Sequence, residues 1–359
     1  MHRTLTALVA LAFVAACGDS SKKTDSSTAG GAAAPATGTT SGADLTGAGA
    51  TFPYPLYSKW FDAYSSKTGV KINYQSIGSG GGIRQLSEQT VDFGATDAPM
   101  TDAELAKAKG GAVLHFPTVL GAVAVVYNLP ELTQPLRLTG DVLAAIYQGQ
   151  ISKWGDARIA TLNPGVKLPA SDILVVHRSD GSGTSYVFTD YLANVSSAWA
   201  TKPGKGKEVQ WPVGLGAKGN EGVAGQVKQT PGAIGYVELA YATQNKMSTA
   251  TLRNAAGEYV APSIASVTAA AAGASAKLPP TTDYRVSIVN AAGAGVYPIS
   301  SFTWIILYQK QSDQAKGKKL VDFLRWALGD GQPLAAPLDY APLPDAIRTA
   351  LLAKLDTVQ

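Results

Sequence analysis

A single cysteine, three histidines and three methionines in 359 residues exclude much reactive chemistry. With Cys17, at the end of the leader, as the only cysteine, the mature chain would form no internal disulfide, no thiolate zinc cluster and no cysteine nucleophile. Of the histidines only His115 and His177 lie beyond the N-terminal leader, and both read as core or surface residues. No lysine-bearing phosphate loop and no zinc-protease helix is present, and Ser79 and Ser182 both lack the glycine two positions earlier that a nucleophile elbow requires. Gly47 and Gly49 suggest a dinucleotide loop, but Phe52 stands where its third glycine belongs. Basic residues do not cluster. Thirty Lys and Arg against 26 Asp and Glu give a formal charge of +4, scattered along the chain, which argues against a nucleic-acid partner. After the leader no apolar run is long enough to cross a bilayer.

What is present begins with that leader. His2 and Arg3 precede an apolar run from Leu5 to Ala16, too short to span a membrane and shaped like the hydrophobic part of a signal peptide. It ends in Val14-Ala15-Ala16-Cys17, which resembles the lipobox of bacterial lipoproteins, with Val14 where leucine is commoner. The resemblance implies a signal peptide over residues 1–17 and a lipid on Cys17. Residues 18–43 are mostly Ser, Thr, Gly and Ala and read as a flexible linker with a reach of roughly 30 Å. The remaining length predicts two lobes.

The most informative stretch is Ile173–Leu192. Ile173 to Val176 reads as a buried strand, and Tyr186, Phe188, Tyr191 and Leu192 share a helix face. Asp180-Gly181-Ser182-Gly183-Thr184 turns one into the other. Such a turn points unpaired N–H groups outward at the positive end of a helix dipole, which makes an anion site. Ser182, Thr184 and Ser185 would add hydroxyl donors, and Arg178 a planar fork for oxyanions. The stretch reads equally well as a capped turn with a surface arginine.

Two further turns follow the same pattern. Thr51 and Phe52 precede a helix in which Pro53 suits the first turn and Leu56, Trp60, Phe61 and Tyr64 share a face. Val70, Ile72 and Tyr74 alternate as a strand before Ile77-Gly78-Ser79-Gly80-Gly81-Gly82, read either as a second nest of N–H donors with the Ser79 hydroxyl or as a flexible loop. Asp97 closes a short strand, and because Thr101 and Glu104 already make a capping box, its carboxylate is left over. Strands are expected at Val119–Val126, Ala233–Val237 and Phe302–Tyr308. Helices are expected near Asp141–Tyr147, Glu221–Lys228, Asp313–Leu328 and Asp345–Leu355, and Ser263–Ala276 is polar and alanine-rich. This alternation argues for an α/β fold. Neutral donors, one arginine and one spare carboxylate describe a binding site with no catalytic group, metal or cofactor.

Gly47–Pro53, Val91–Pro99, Arg178–Thr184, Gly232–Glu238 and Leu338–Asp345 together resemble the PstS family, the periplasmic phosphate-binding proteins of the high-affinity phosphate ABC importer. The likeness runs from about Asp44 to Asp345 and weakens between Asn254 and Ser287. It implies a type II periplasmic binding protein fold, with two α/β lobes joined by a two-crossing hinge: residues 44–120 plus 300–359, and residues 121–299. It places Thr51, Phe52, Ser79, Asp97, Arg178, Ser182, Gly183 and Thr184 around phosphate, with Asp180 holding Arg178. Where many members carry a second serine this chain has Gly80, which would leave a backbone N–H as donor. Asp97 would accept the proton of hydrogenphosphate and so reject sulfate, which carries none at neutral pH. The partners implied are inorganic phosphate and the importer's membrane subunits. The chain would be a periplasmic monomer attached to the membrane through its lipid alone.

Overall fold

The computed structural model describes residues 44–274 and 282–359. The signal peptide and Cys17, the linker over residues 18–43 and the end of the alanine-rich stretch lie outside the described residues. The strands are β1 (Leu45–Gly49), β2 (Ile72–Ser76), β3 (Phe93–Thr96), β4 (Val113–Tyr127), β5 (Arg137–Leu138), β6 (Leu174–Arg178), β7 (Leu215–Ala217), β8 (Ala233–Glu238), β9 (Ser248–Thr249), β10 (Thr251–Arg253), β11 (Tyr259–Val260) and β12 (Ser300–Tyr308). Nine of them form one mixed sheet whose main path is β2-β1-β3-β12-β4-β8-β6-β7, with β9 beside β4. A small sheet, β11-β10-β5, is separate.

β4 is the spine of the sheet. From His115 onward every residue of it is buried, as a strand covered on both faces requires. Residues 113–122 pair antiparallel with β12, and residues 123–127 with β8. The β4–β12 register shifts between Thr303 and Trp304, because Thr303 faces Val119 and Trp304 faces Pro117, leaving Thr118 extra. Pro117 has no N–H for the ladder, so a bulge beside it is the low-cost solution. Thr118 Oγ1 then lies 3.2 Å from the Thr303 carbonyl, to which it donates.

Helices arise where the apolar spacing places them, at Tyr54–Thr68, Ser79–Ser87, Gly140–Tyr147, Gly183–Val195, Gly219–Gln229, Gln314–Leu328 and Asp345–Leu355. Pro53 caps the first of these from outside, and Pro55 occupies its first turn. Thr101 and Glu104 form the expected capping box. The alanine-rich stretch also forms a helix, Ile264–Gly273, whose box pairs Ser263 with Ser266. Tyr57, Trp60, Phe61, Tyr74, Phe93 and Phe323 pack as one aromatic cluster beside β1–β3. Phe188, Tyr236, Tyr147 and Trp211 form another beside β6 and β8, with Phe188 and Tyr236 stacked at 4.2 Å. Among the described residues no helix is long and apolar enough to cross a membrane.

The loops after β1, β2, β6 and β7 each lead into the N-terminus of a helix. They leave the carboxyl ends of parallel strands, where open α/β sheets form their crevices.

Candidate anion site

β6 ends at Arg178, whose buried guanidinium is fully committed in direction. Nε and Nη2 grip the two oxygens of Asp180 at 2.7 and 2.5 Å, and Nη1 reaches Thr184 Oγ1 at 3.3 Å. Tyr236 Oη accepts from the Arg178 backbone N–H at 3.0 Å, and Gly219 N–H donates to Asp180 Oδ1 at 3.1 Å. Burial pushes the Asp180 carboxyl up, but the Arg178 guanidinium outweighs it and holds the group below the usual range. The pair is therefore ionised and fixed, with one edge of the fork facing Thr184. Ser182 caps the following helix, its Oγ accepting from Ser185 N–H at 2.9 Å.

Thr51 and Phe52 stand before the helix Tyr54–Thr68, and their carbonyls accept from Tyr241 Oη and Tyr340 Oη, each at 2.6 Å. Both peptide units are thus pinned, with the first N–H groups of the helix lacking intrahelical partners. Ser79 Oγ accepts from Asp97 N–H and from Gly183 N–H, each at 3.1 Å, so the loop after β2, the end of β3 and the Arg178 turn converge on one oxygen. A Cβ on Gly183 would lie 2.4 Å from Ser79 Oγ and 2.6 Å from Asp97 Oδ2, so only glycine permits this approach. Gly78, at φ 88°, is needed for the same reason: its Cβ would meet Asp180 Oδ2 at 2.4 Å.

All eight residues expected around the anion, with Asp180 behind Arg178, are brought into linked turns. Three N–H groups expected as donors are engaged within the protein. Gly183 N–H goes to Ser79, Ser182 N–H to the Lys207 carbonyl at 3.0 Å, and Gly80 N–H to the Gly181 carbonyl at 2.8 Å. The expectation that Gly80 leaves a backbone donor for the ligand is corrected accordingly, since that N–H ties two loops together.

Asp97 is 1% exposed. Thr303 Oγ1 donates to its Oδ1 at 2.8 Å, aimed there from β12 opposite the β4 bulge. Burial raises the Asp97 carboxyl to about 7, against the Thr303 hydroxyl, the Arg178 charge and the Ser79 hydroxyl, which each pull it down. A carboxyl so poised can take or give a proton near neutrality. A cavity of about 320 Å³, lined in part by Tyr186, Arg285 and Trp304, reaches it. The two histidines stand apart from this chemistry. His115 is buried, driven down to about 3 by that burial, and accepts from Met100 N–H, while His177 stacks on Trp211 at 4.8 Å.

Asn220 was not expected. It follows β7 in a fourth strand-to-helix turn, Lys218-Gly219-Asn220, whose resemblance in pattern to the other three is the signal that could have found it. Its Nδ2 donates to Thr51 Oγ1 at 2.8 Å and Thr184 Oγ1 at 3.0 Å. Hydroxyl and N–H donors, one directed cation and one proton-accepting carboxyl can hold a small anion that carries a proton.

A model of the PBP superfamily domain matches residues 33–330. The phosphate-binding protein PstS of Xylella fastidiosa strain Temecula1 is 50% identical over 301 residues, covering 84% of this chain and 81% of that one. The phosphate-binding protein PstS of Pasteurella multocida is 46% identical over 320 residues, 89% and 92% of the two chains. Among solved structures, a high-affinity periplasmic phosphate-binding protein bound with phosphate aligns with a TM-score of 0.67 at 22% identity, over 86% of this chain and 93% of that one. A putative phosphate ABC transporter substrate-binding protein from Clostridium perfringens, with bound phosphate, aligns at 0.59 and 18% identity, over 84% and 99%. These two share the fold, a periplasmic binding protein architecture. By identity and coverage together, the chain belongs to the PstS phosphate-binding proteins of the PBP superfamily.

Proposed function

We propose that this chain captures inorganic phosphate outside the cytoplasm, in the periplasm, and delivers it to the membrane subunits of an ABC importer, without catalysing a reaction. Thr51, Phe52, Ser79, Asp97, Arg178, Ser182, Gly183 and Thr184 surround the anion in this reading, and Asp180 holds Arg178. The observation that carries it is Asp97, a buried carboxyl placed among hydroxyl and N–H donors and facing the Arg178 charge. A carboxylate beside a dianion is costly unless a proton lies between them, and hydrogenphosphate supplies that proton.

The lobes are residues 44–120 plus 300–359 and residues 121–299. The change of partner along β4 between Ala122 and Val123 favours this division, since one side pairs with β12 and the other with β8. Ligand contacts drawn from both lobes would favour the closed arrangement. A lipid on Cys17 and a linker over residues 18–43 attach the body to the membrane, and the chain acts as a monomer because one chain supplies every group of the site.

Isothermal titration with phosphate, sulfate and arsenate, beside a chromogenic phosphate-ester assay, tests the reading. Phosphate should bind at one site, with sulfate far weaker at pH 8 and no ester turned over. Sulfate binding as tight as phosphate would move the chain to another oxyanion, and ester turnover would make it a hydrolase.

A further inference from the structure

We propose that Asn220 is a positioning residue that fixes the hydroxyls of Thr51 and Thr184 as donors toward the bound anion. This rests on the phosphate reading above. A threonine hydroxyl has one proton and two lone pairs, and either polarity is available to it in water. An anion site needs the donor polarity only. At Thr51 both lone pairs are filled, by Asn220 Nδ2 at 2.8 Å and Asn220 N–H at 3.2 Å. At Thr184 they are filled by Asn220 Nδ2 at 3.0 Å and Arg178 Nη1 at 3.3 Å. With no acceptor capacity left, each hydroxyl can act only as a donor.

The amide is itself held in one orientation. Glu238 N–H donates to Asn220 Oδ1 at 2.8 Å, and a flipped amide would set two donors against each other there. Asn220 is fully buried, so water does not compete for these bonds. Ser79 shows the same saturation by other means, its oxygen accepting from Asp97 and Gly183. One amide thus sets two hydroxyls that lie 133 residues apart in sequence, 51 to 184, and it does so without needing to touch the ligand.

The test is a double-mutant cycle read by isothermal titration of inorganic phosphate at pH 8 into the full chain, Asn220→Ala, Thr184→Val and the double variant. Phosphate binding by the parent in the same series reports on the underlying reading separately. Asn220→Ala should weaken phosphate binding about tenfold or more in the parent and by about threefold less than that in the Thr184→Val background, because one of the two hydroxyls it sets is gone while Thr51 remains. Equal losses in both backgrounds would reduce Asn220 to a structural role and overturn the proposal. Should the alanine variant fail to fold, Asn220→Asp keeps the shape but offers acceptors where the amide donates. It should lose about tenfold or more at pH 8 and regain part of that relative to the parent near pH 5, where the acid can donate again. A loss that does not change with pH would also overturn the proposal.

Discussion

Replacing Asp97 with asparagine should convert a selectivity that depends on pH into one that does not. In the proposed site an unprotonated dianion such as sulfate would bind only when Asp97 carries the proton itself, and burial raises that carboxyl to about 7. Half the protein is therefore competent for sulfate at pH 7. Above this point the competent fraction falls about tenfold per pH unit, equivalent to about 1.4 kcal/mol each. The parent should lose about fiftyfold in sulfate affinity between pH 7 and pH 9 by this arithmetic. Phosphate affinity should hold or rise over the same interval, because hydrogenphosphate brings its own proton to the ionised carboxylate. In Asp97→Asn the amide donates at every pH, so sulfate affinity should be flat, exceeding the parent about twofold at pH 7 and about a hundredfold at pH 9. Calorimetric titration of both anions into both proteins at these two pH values is sufficient. A parent whose sulfate affinity ignores pH, or a variant that keeps the parent's slope, would refute the role given to Asp97.

Asp97 should also report in stability. Its folded pKa of about 7 exceeds the ordinary 3.8, so the folded state holds the proton more tightly, and the resulting stabilisation is full below 3.8 and lost as pH rises through 7. Urea unfolding without ligand should therefore show Asp97→Asn gaining on the parent by up to about 4 kcal/mol from pH 4 to pH 8, and a constant difference would contradict this. Arg178→Ala should cost about 3 kcal/mol in phosphate binding, since it removes the directed cation and leaves Asp180 unpaired, with Arg178→Lys recovering only part; a nearly unchanged dissociation constant would move the site elsewhere. Gly183→Ala should weaken phosphate binding by roughly 1–3 kcal/mol, because the new methyl displaces Ser79 and Asp97; unchanged affinity would mean that these groups do not meet in the bound protein. Cys17→Ser should leave an unlipidated protein, and membrane fractions holding it as firmly as the parent would dismiss the lipid anchor.

Much of the candidate site is legible in the sequence because it is built from local devices. A run of aliphatic residues, a small-residue turn and a helix face mark each nest within about twenty residues, and Thr101 with Glu104 accounts for one cap and so leaves Asp97 spare. The pairing of Arg178 with Asp180 is likewise local, two positions apart. What was not legible depends on distant contacts. Asn220 meets Thr51 across 169 positions, Thr303 meets Asp97 across 206, and Tyr340 meets Phe52 across 288, none with a local pattern to announce it. The fate of the Gly80 N–H was hidden for the same reason, since its acceptor belongs to a turn a hundred residues away. The order of the strands is also non-local, as β12 is inserted between β3 and β4. The helix Ile264–Gly273 has no sequence signature of its own because alanine gives it no charged face, and its capping box uses serine where glutamate is usual.

A crystal structure of the protein grown with inorganic phosphate tests the central claim most directly. The account predicts one phosphate enclosed by Thr51, Ser79, Arg178 and Thr184, with one oxygen close enough to the Asp97 carboxylate to share a proton and Asn220 bonded to both threonines behind it. Phosphate bound elsewhere, or bound there with Asp97 turned away from every oxygen, would contradict it.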